Sequence, residues 1–225
     1  MPVGYTQTPD PVSPEAAQPE MKLLTRWDRW FAQDNLDKDA RILAAPPSLC
    51  AQNAAGEFLS RDKRRVLDLP CGVGRDTFYL VERGLDVTGV DASLNGLRAA
   101  SQIRLKHNLS AVLVAADARR LPFKAGSFEG VYCFGLLHEF TDEHKHEDVE
   151  QVMAEIRRVL CPQGILVLTV LSGNPEAGLP KVQLFTRQMF EGALAGWKPL
   201  EISCQDDVGC TNQANYRVWY GLFER

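Results

Sequence analysis

Apolar positions along the chain follow one period near its start and alternate between two periods after residue 60. From Met21 to Ala32, Leu23, Leu24, Trp27, Trp30 and Phe31 recur at helical spacing and form a single stripe. A second helix is expected from about Pro47 to Leu59, with the proline near its first turn. Beyond that point short apolar runs alternate with amphipathic ones. Arg65–Leu69 reads as a strand, Asp76–Arg83 as a helix ended by Gly84, and Leu85–Val90 as a strand. Ser93 caps a helix reaching about His107, followed by strands at Ala111–Ala115 and Phe128–Phe134. Glu147–Leu160 is helical, Pro162-Gln163-Gly164 is a turn, and Ile165–Leu171 is a strand. A helix over Arg187–Ala195 and strands near Pro199–Ser203 and Tyr216–Phe223 complete the chain.

Strands alternating with helices at this spacing predict an α/β fold: a doubly wound, mostly parallel sheet with helices on both faces. The last two strands have no helix between them, so an antiparallel C-terminal hairpin is expected. Residues 1–20 hold five prolines and neither a basic nor a long apolar run. They read as a disordered leader rather than a signal peptide or membrane span. The remainder divides into a helical extension or lid over 21–60 and the alternating domain over 61–225.

Charge narrows the partners. The 225 residues carry 25 basic and 29 acidic side chains, a net charge of −4, which speaks against nucleic acid. The basic clusters Lys63-Arg64-Arg65 and Arg119-Arg120 fall at the edges of strands or loops and read as solvated ends. None of the six cysteines forms a CxxC pair, so neither a metal site nor a disulfide framework is indicated. Cys71, Cys133 and Cys161 lie in or beside apolar runs and read as buried thiols. Reduced thiols without a targeting segment point to the cytoplasm.

The sharpest feature is Val66-Leu67-Asp68-Leu69-Pro70-Cys71-Gly72-Val73-Gly74-Arg75, an apolar strand running into a glycine turn that opens a helix. Glycines there let a ligand approach the backbone. Asp91, at the end of the next strand, can accept from both hydroxyls of a ribose. A dinucleotide loop would carry a third glycine where Thr77 stands, and Asp68 would be a poor neighbour for a pyrophosphate. An acid suits a ligand bearing an ammonium group, as S-adenosylmethionine (SAM) does. This disfavours a nicotinamide-dependent oxidoreductase.

The chain resembles the class I SAM-dependent methyltransferases over roughly residues 60–225, which implies a Rossmann-like fold. Asp68-Leu69-Pro70-Cys71-Gly72-Val73-Gly74 is similar to their glycine loop, with Pro70 in place of the first glycine. Asp91 matches the family's ribose acid, and Asp117 in Ala116-Asp117-Ala118 matches its adenine acid. Leu121-Pro122-Phe123 with Ser127–Val131, and Val159–Leu166, resemble its approaches to strands four and five. The resemblance implies that Asp68, Pro70, Gly72, Gly74, Arg75, Asp91, Ala92, Asp117, Ala118 and Phe134 hold SAM. Arg75-Asp76 and the aromatic run Trp27–Phe31 add a shorter similarity to tellurite-resistance and thiol methyltransferases, although Cys210–Gln213 stands where that group has a His-Arg pair.

Methyl transfer is an in-line displacement, so the acceptor should face the end of strand four, Phe134–Phe140. His138 and Glu139 are the candidate general bases there, while a thiolate acceptor would need none. Phe134 and Phe140 could wall the pocket, and the Trp27, Trp30 and Phe31 stripe could cover it. The expected function is SAM-dependent methylation of a small molecule (a thiol, hydroxyl, amine or metalloid oxyanion) by a monomer or homodimer. The alternative is a non-catalytic SAM-binding regulator or subunit.

Overall fold

The computed structural model describes residues 24–32, 45–140, 145–173, 183–208 and 215–225. The expected leader lies outside the described residues. Helices α1 (Leu24–Trp30) and α2 (Leu49–Ser60) precede β1 (Arg65–Asp68), α3 (Arg75–Glu82), β2 (Asp86–Asp91), α4 (Leu94–His107) and β3 (Val112–Ala115). There follow β4 (Phe128–Phe134), a 3-10 turn at Leu137–Glu139, α5 (Lys145–Val159), β5 (Leu160–Leu171), α6 (Arg187–Ala193), β6 (Lys198–Val208) and β7 (Asn215–Glu224).

The seven strands lie in the order β3-β2-β1-β4-β5-β7-β6. The first five are parallel, while β7 runs antiparallel between β5 and β6. The expected hairpin is therefore present, and its second strand takes the inner place. Strand order reverses between β1 and β4, which opens a crevice beyond their carboxyl ends. The glycine turn leaves β1 at that point.

Two apolar clusters sandwich the sheet. One joins Leu67, Val131, Leu166 and Leu168 to Val152, Ile156 and Phe190. The other sets Ala51, Ala54 and Phe58 of α2 and Leu80 of α3 against Val66, Tyr132 and Val167. Gly130 makes room for α2, since a Cβ there would lie 2.7 Å from the Phe58 ring. Helix α2 begins at a Ser48 cap, whose hydroxyl accepts from Ala51 N–H, so Pro47 stands just outside it. No described helix is long and apolar enough to cross a membrane.

Two expectations change. Pro162-Gln163-Gly164 is not a turn before a strand but lies inside β5, which pairs with β4 at Leu160 and again from Ile165 across a bulge. Gln163 absorbs the irregularity with φ 61°. Cys71 and Cys133 are buried thiols, but Cys161, beside that bulge, is only half-buried.

Candidate active site

The acid at the end of β1 is deeply buried. Asp68 is 1% exposed and accepts a 2.5 Å hydrogen bond from the Thr77 hydroxyl on the first turn of α3. Burial is the largest influence on its carboxyl and pushes it well above the usual carboxylate range, with Asp76 and Asp91 adding to the shift. Thr77 stands where a dinucleotide loop would have its third glycine. Here that position supplies a hydroxyl donor.

The turn places both glycines in left-handed backbone, Gly72 at φ 54° and Gly74 at φ 86°. Gly74 also caps α3, and a Cβ on it would fall 2.4 Å from the Phe78 ring. Asp91 reaches back across the turn. Its Oδ2 accepts from Gly72 N–H at 2.7 Å and its Oδ1 from Ser93 N–H at 2.7 Å. Burial again dominates and raises this carboxyl, against hydrogen bonds from the Ser93, Gly72 and Ala92 backbone. Asp68, Gly72, Gly74, Asp91 and Ala92 thus surround one turn. The buried acids and side-chain-free backbone suit a ligand carrying an ammonium and a ribose, which makes the donor set compatible with SAM.

Asp117 is differently placed from a free acceptor. Arg119 grips its carboxylate through Nε at 3.0 Å and Nη2 at 2.6 Å, and Arg119 Nη1 reaches Asp148 on α5 at 2.8 Å. The Arg119 backbone N–H also donates to Asp117 Oδ1, while Ala118 is buried in the core beside Leu121. Arg75 is engaged beside the turn. Its guanidinium forks onto Asp76 at 2.9 Å through both bonds and lies 5.4 Å from the Phe134 ring centroid. Asp76 in turn accepts from Ser48 N–H and Oγ–H, each at 2.9 Å, and from the Tyr132 hydroxyl at 3.1 Å. This buried network ties α2, α3 and β4 together beside the crevice.

Beyond β4, His138 and Glu139 lie on the 3-10 turn. Leu171 N–H donates to His138 Nδ1 at 3.3 Å, which assigns the ring proton to Nε2, 3.6 Å from Glu139 Oε1. The other Glu139 oxygen, Oε2, accepts from the Trp27 indole at 3.0 Å. Phe134 stands at the crevice under Arg75, but Phe140 is buried in the main core and so does not wall the site.

Helix α1 crosses this mouth. Asp28 Oδ1 accepts from Ser93 Oγ–H and Asn95 N–H at 2.9 Å each, seating α1 on the start of α4. Phe31 is 8% exposed, and Cβ atoms built on Gly72 and Gly96 would lie 3.4 and 3.2 Å from its ring. Trp27 stacks on Phe31 at 5.6 Å, and Trp30 meets it edge-on at 4.9 Å. The stripe was expected to cover the acceptor pocket, whereas its Phe31 ring lies against Gly72 of the glycine turn and Gly96 of α4. The roles of Thr77 and Asp28 were not foretold: Thr77 meets Asp68 only through the geometry of the turn between them, and Asp28 meets Ser93 and Asn95 from a segment far away in the chain.

Residues 67–168 match the family model described as a methyltransferase domain. YqeM of Bacillus subtilis, designated a methyltransferase, is 33% identical over 71% of this chain and 62% of its own length. The demethylmenaquinone methyltransferase of Deinococcus radiodurans is 37% identical over 51% of this chain and 46% of its own length. The chain therefore spans about half to three fifths of these curated relatives. Among solved structures, TehB from Haemophilus influenzae superposes with a TM-score of 0.65 at 18% identity, over 86% of this chain and 66% of that one. A SAM-dependent methyltransferase from Methanosarcina mazei gives 0.64 at 18% identity, over 76% and 95%. Both likenesses confirm the fold. With its glycine turn, its two buried acids and these matches, the chain carries a class I SAM-dependent methyltransferase domain.

Proposed function

We propose that the protein transfers the methyl group of SAM to a small-molecule acceptor of apolar or aromatic character. The observation that carries this reading is the aromatic helix laid over the glycine turn, with Phe31 against Gly72 and Gly96. A roofed site of this kind supports a compact acceptor over a long polymer. The names of two groups of relatives, demethylmenaquinone methyltransferase and ubiquinone biosynthesis O-methyltransferase, point to acceptors of that character in those proteins.

When bound, SAM supplies an electrophilic methyl on a sulfonium. Asp68 would hold its ammonium and Asp91 its ribose hydroxyls, with the Gly72 and Gly74 backbone lying against the ligand. Asp117, oriented by Arg119, would face the adenine, and Ala118 and Ala92 would offer backbone contacts. Pro70 and Phe134 would line the turn and the β4 end. Arg75 would act by fixing Asp76 and covering Phe134. His138 Nδ1 is taken by Leu171 N–H and Glu139 Oε2 by the Trp27 indole, so neither atom stands ready to remove a proton. That favours methylation through proximity and alignment rather than proton removal by these two atoms.

The test is calorimetric binding of SAM and S-adenosylhomocysteine, followed by S-adenosylhomocysteine release with quinol, phenol, thiol and amine panels, and with protein and RNA controls. Turnover with a quinol, phenol or thiol is expected. Methylation of protein or RNA alone would overturn the acceptor reading.

A further inference from the structure

Helix α1 is held at both ends of the cofactor mouth, and the two clasps differ in chemistry. At the β2 side, Asp28 accepts from Ser93 Oγ–H and Asn95 N–H, while Asn95 Nδ2–H donates to the Asp28 backbone carbonyl at 3.0 Å. At the β4 side, the Trp27 indole donates to Glu139. These partners come from the loops after two strands that flank β1 on opposite sides. Adjacent residues of one helix therefore bridge the crevice where the strand order reverses. On the same helix segment the Phe31 ring lies against Gly72 of the glycine turn and against Gly96 of α4. The Asp28 carboxylate is also near enough to Asp91 to help raise it.

From this arrangement we infer that α1 is a strap gating cofactor exchange, with Trp27 and Asp28 as its positioning residues. The inference rests on SAM binding at the glycine turn. With both clasps made, Phe31 covers Gly72, so a ligand enters or leaves only when α1 lifts. A strap of this kind slows association and dissociation together, because both pass through the same open state. A merely structural helix would change melting temperature and leave exchange alone. A helix that only contacts bound ligand would slow release without slowing entry.

Stopped-flow exchange of S-adenosylhomocysteine separates these cases. Trp27→Phe keeps the ring and removes the indole donor; Asp28→Ala removes the other clasp. Each variant is expected to raise both the association and dissociation rates by about tenfold, in line with loss of one or two hydrogen bonds to a carboxylate. The dissociation constant should move less than either rate. Asp28→Asn, which keeps an acceptor oxygen, should restore much of the wild-type behaviour. Unchanged rates with a lowered melting temperature would overturn the strap, as would faster release with unaltered association. Absence of S-adenosylhomocysteine binding by the wild-type protein would overturn the cofactor reading and the strap with it.

Discussion

At the scale of single residues, the carboxylates do unequal work. Asp91 orders the glycine turn by accepting from both Gly72 and Ser93, so it is at once a structural brace and the proposed ribose acceptor. Asp91→Ala is expected to weaken S-adenosylhomocysteine by about 1.5–3 kcal/mol, since a buried charged acceptor is lost and two N–H groups are orphaned. Calorimetry on the folded variant checks this, and an unchanged affinity removes Asp91 from the site. His138 makes a different case. A general base in methyl transfer is worth about 10²–10⁴-fold. With Nδ1 bound to Leu171 N–H, we expect His138→Ala to lower turnover by less than about tenfold across pH 6–9, with cofactor affinity preserved. A loss of a hundredfold or more on a phenol or amine would restore the imidazole as base. Asp68, Gly72 and Asp91 were legible because their spacing along one strand–turn–helix–strand unit is local. Arg75 was named for its place beside the glycines. Its partners were not legible, because the stacking on Phe134 depends on how α3 packs beside β4.

At the scale of elements, the alternation of periods located every described strand, and the misjudged one shows where local signals fail. Pro162-Gln163-Gly164 has turn composition, yet pairing with β4 on one side and β7 on the other keeps the chain extended around it. Gly164 is confined by that packing. A Cβ there would lie 2.7 Å from a Leu160 methyl and 2.8 Å from the Cys161 carbonyl oxygen. Gly164→Ala should therefore destabilise the protein by about 1–3 kcal/mol, seen as a lower urea midpoint with unchanged slope. A neutral outcome would mean that the bulge is soft enough to shift. Helix α1 is the converse example. Its stripe was legible as amphipathic and as a cover for the acceptor pocket, but the sequence offered no sign that Phe31 would sit on the glycine turn and the start of α4. That placement is set by Asp28 meeting the α4 cap and Trp27 meeting Glu139.

At the scale of the whole molecule, the proposed cofactor site opposes the stability of the fold that carries it. Asp68 and Asp91 both have carboxyls raised above the unfolded value of about 4, chiefly by burial. Groups raised in the folded state contribute stability that is present below the unfolded value and is lost as pH rises through the folded one. In the ligand-free protein these two sites therefore favour lower pH over the window that opens at about pH 4 and runs up to their raised folded values. Glu129 and Glu155, which are lowered by hydrogen bonds and neighbouring arginines, act in the opposite sense but only below about pH 4.5, at the acid edge of that window. Ligand binding reverses the sign. An ammonium beside Asp68 and ribose hydroxyls on Asp91 favour the ionised carboxylates, so binding releases protons and affinity grows as pH rises. The free protein should thus melt at a lower temperature at pH 8 than at pH 5.5, while the stabilisation given by saturating S-adenosylhomocysteine should increase over the same interval. Differential scanning calorimetry with and without ligand tests both slopes at once, and calorimetric titration in buffers of different ionisation enthalpy counts the protons released. Affinity that stays flat from pH 5 to 8, with no proton release, would show that the ligand does not bear on Asp68 or Asp91, and the buried acids would then be a feature of the fold alone.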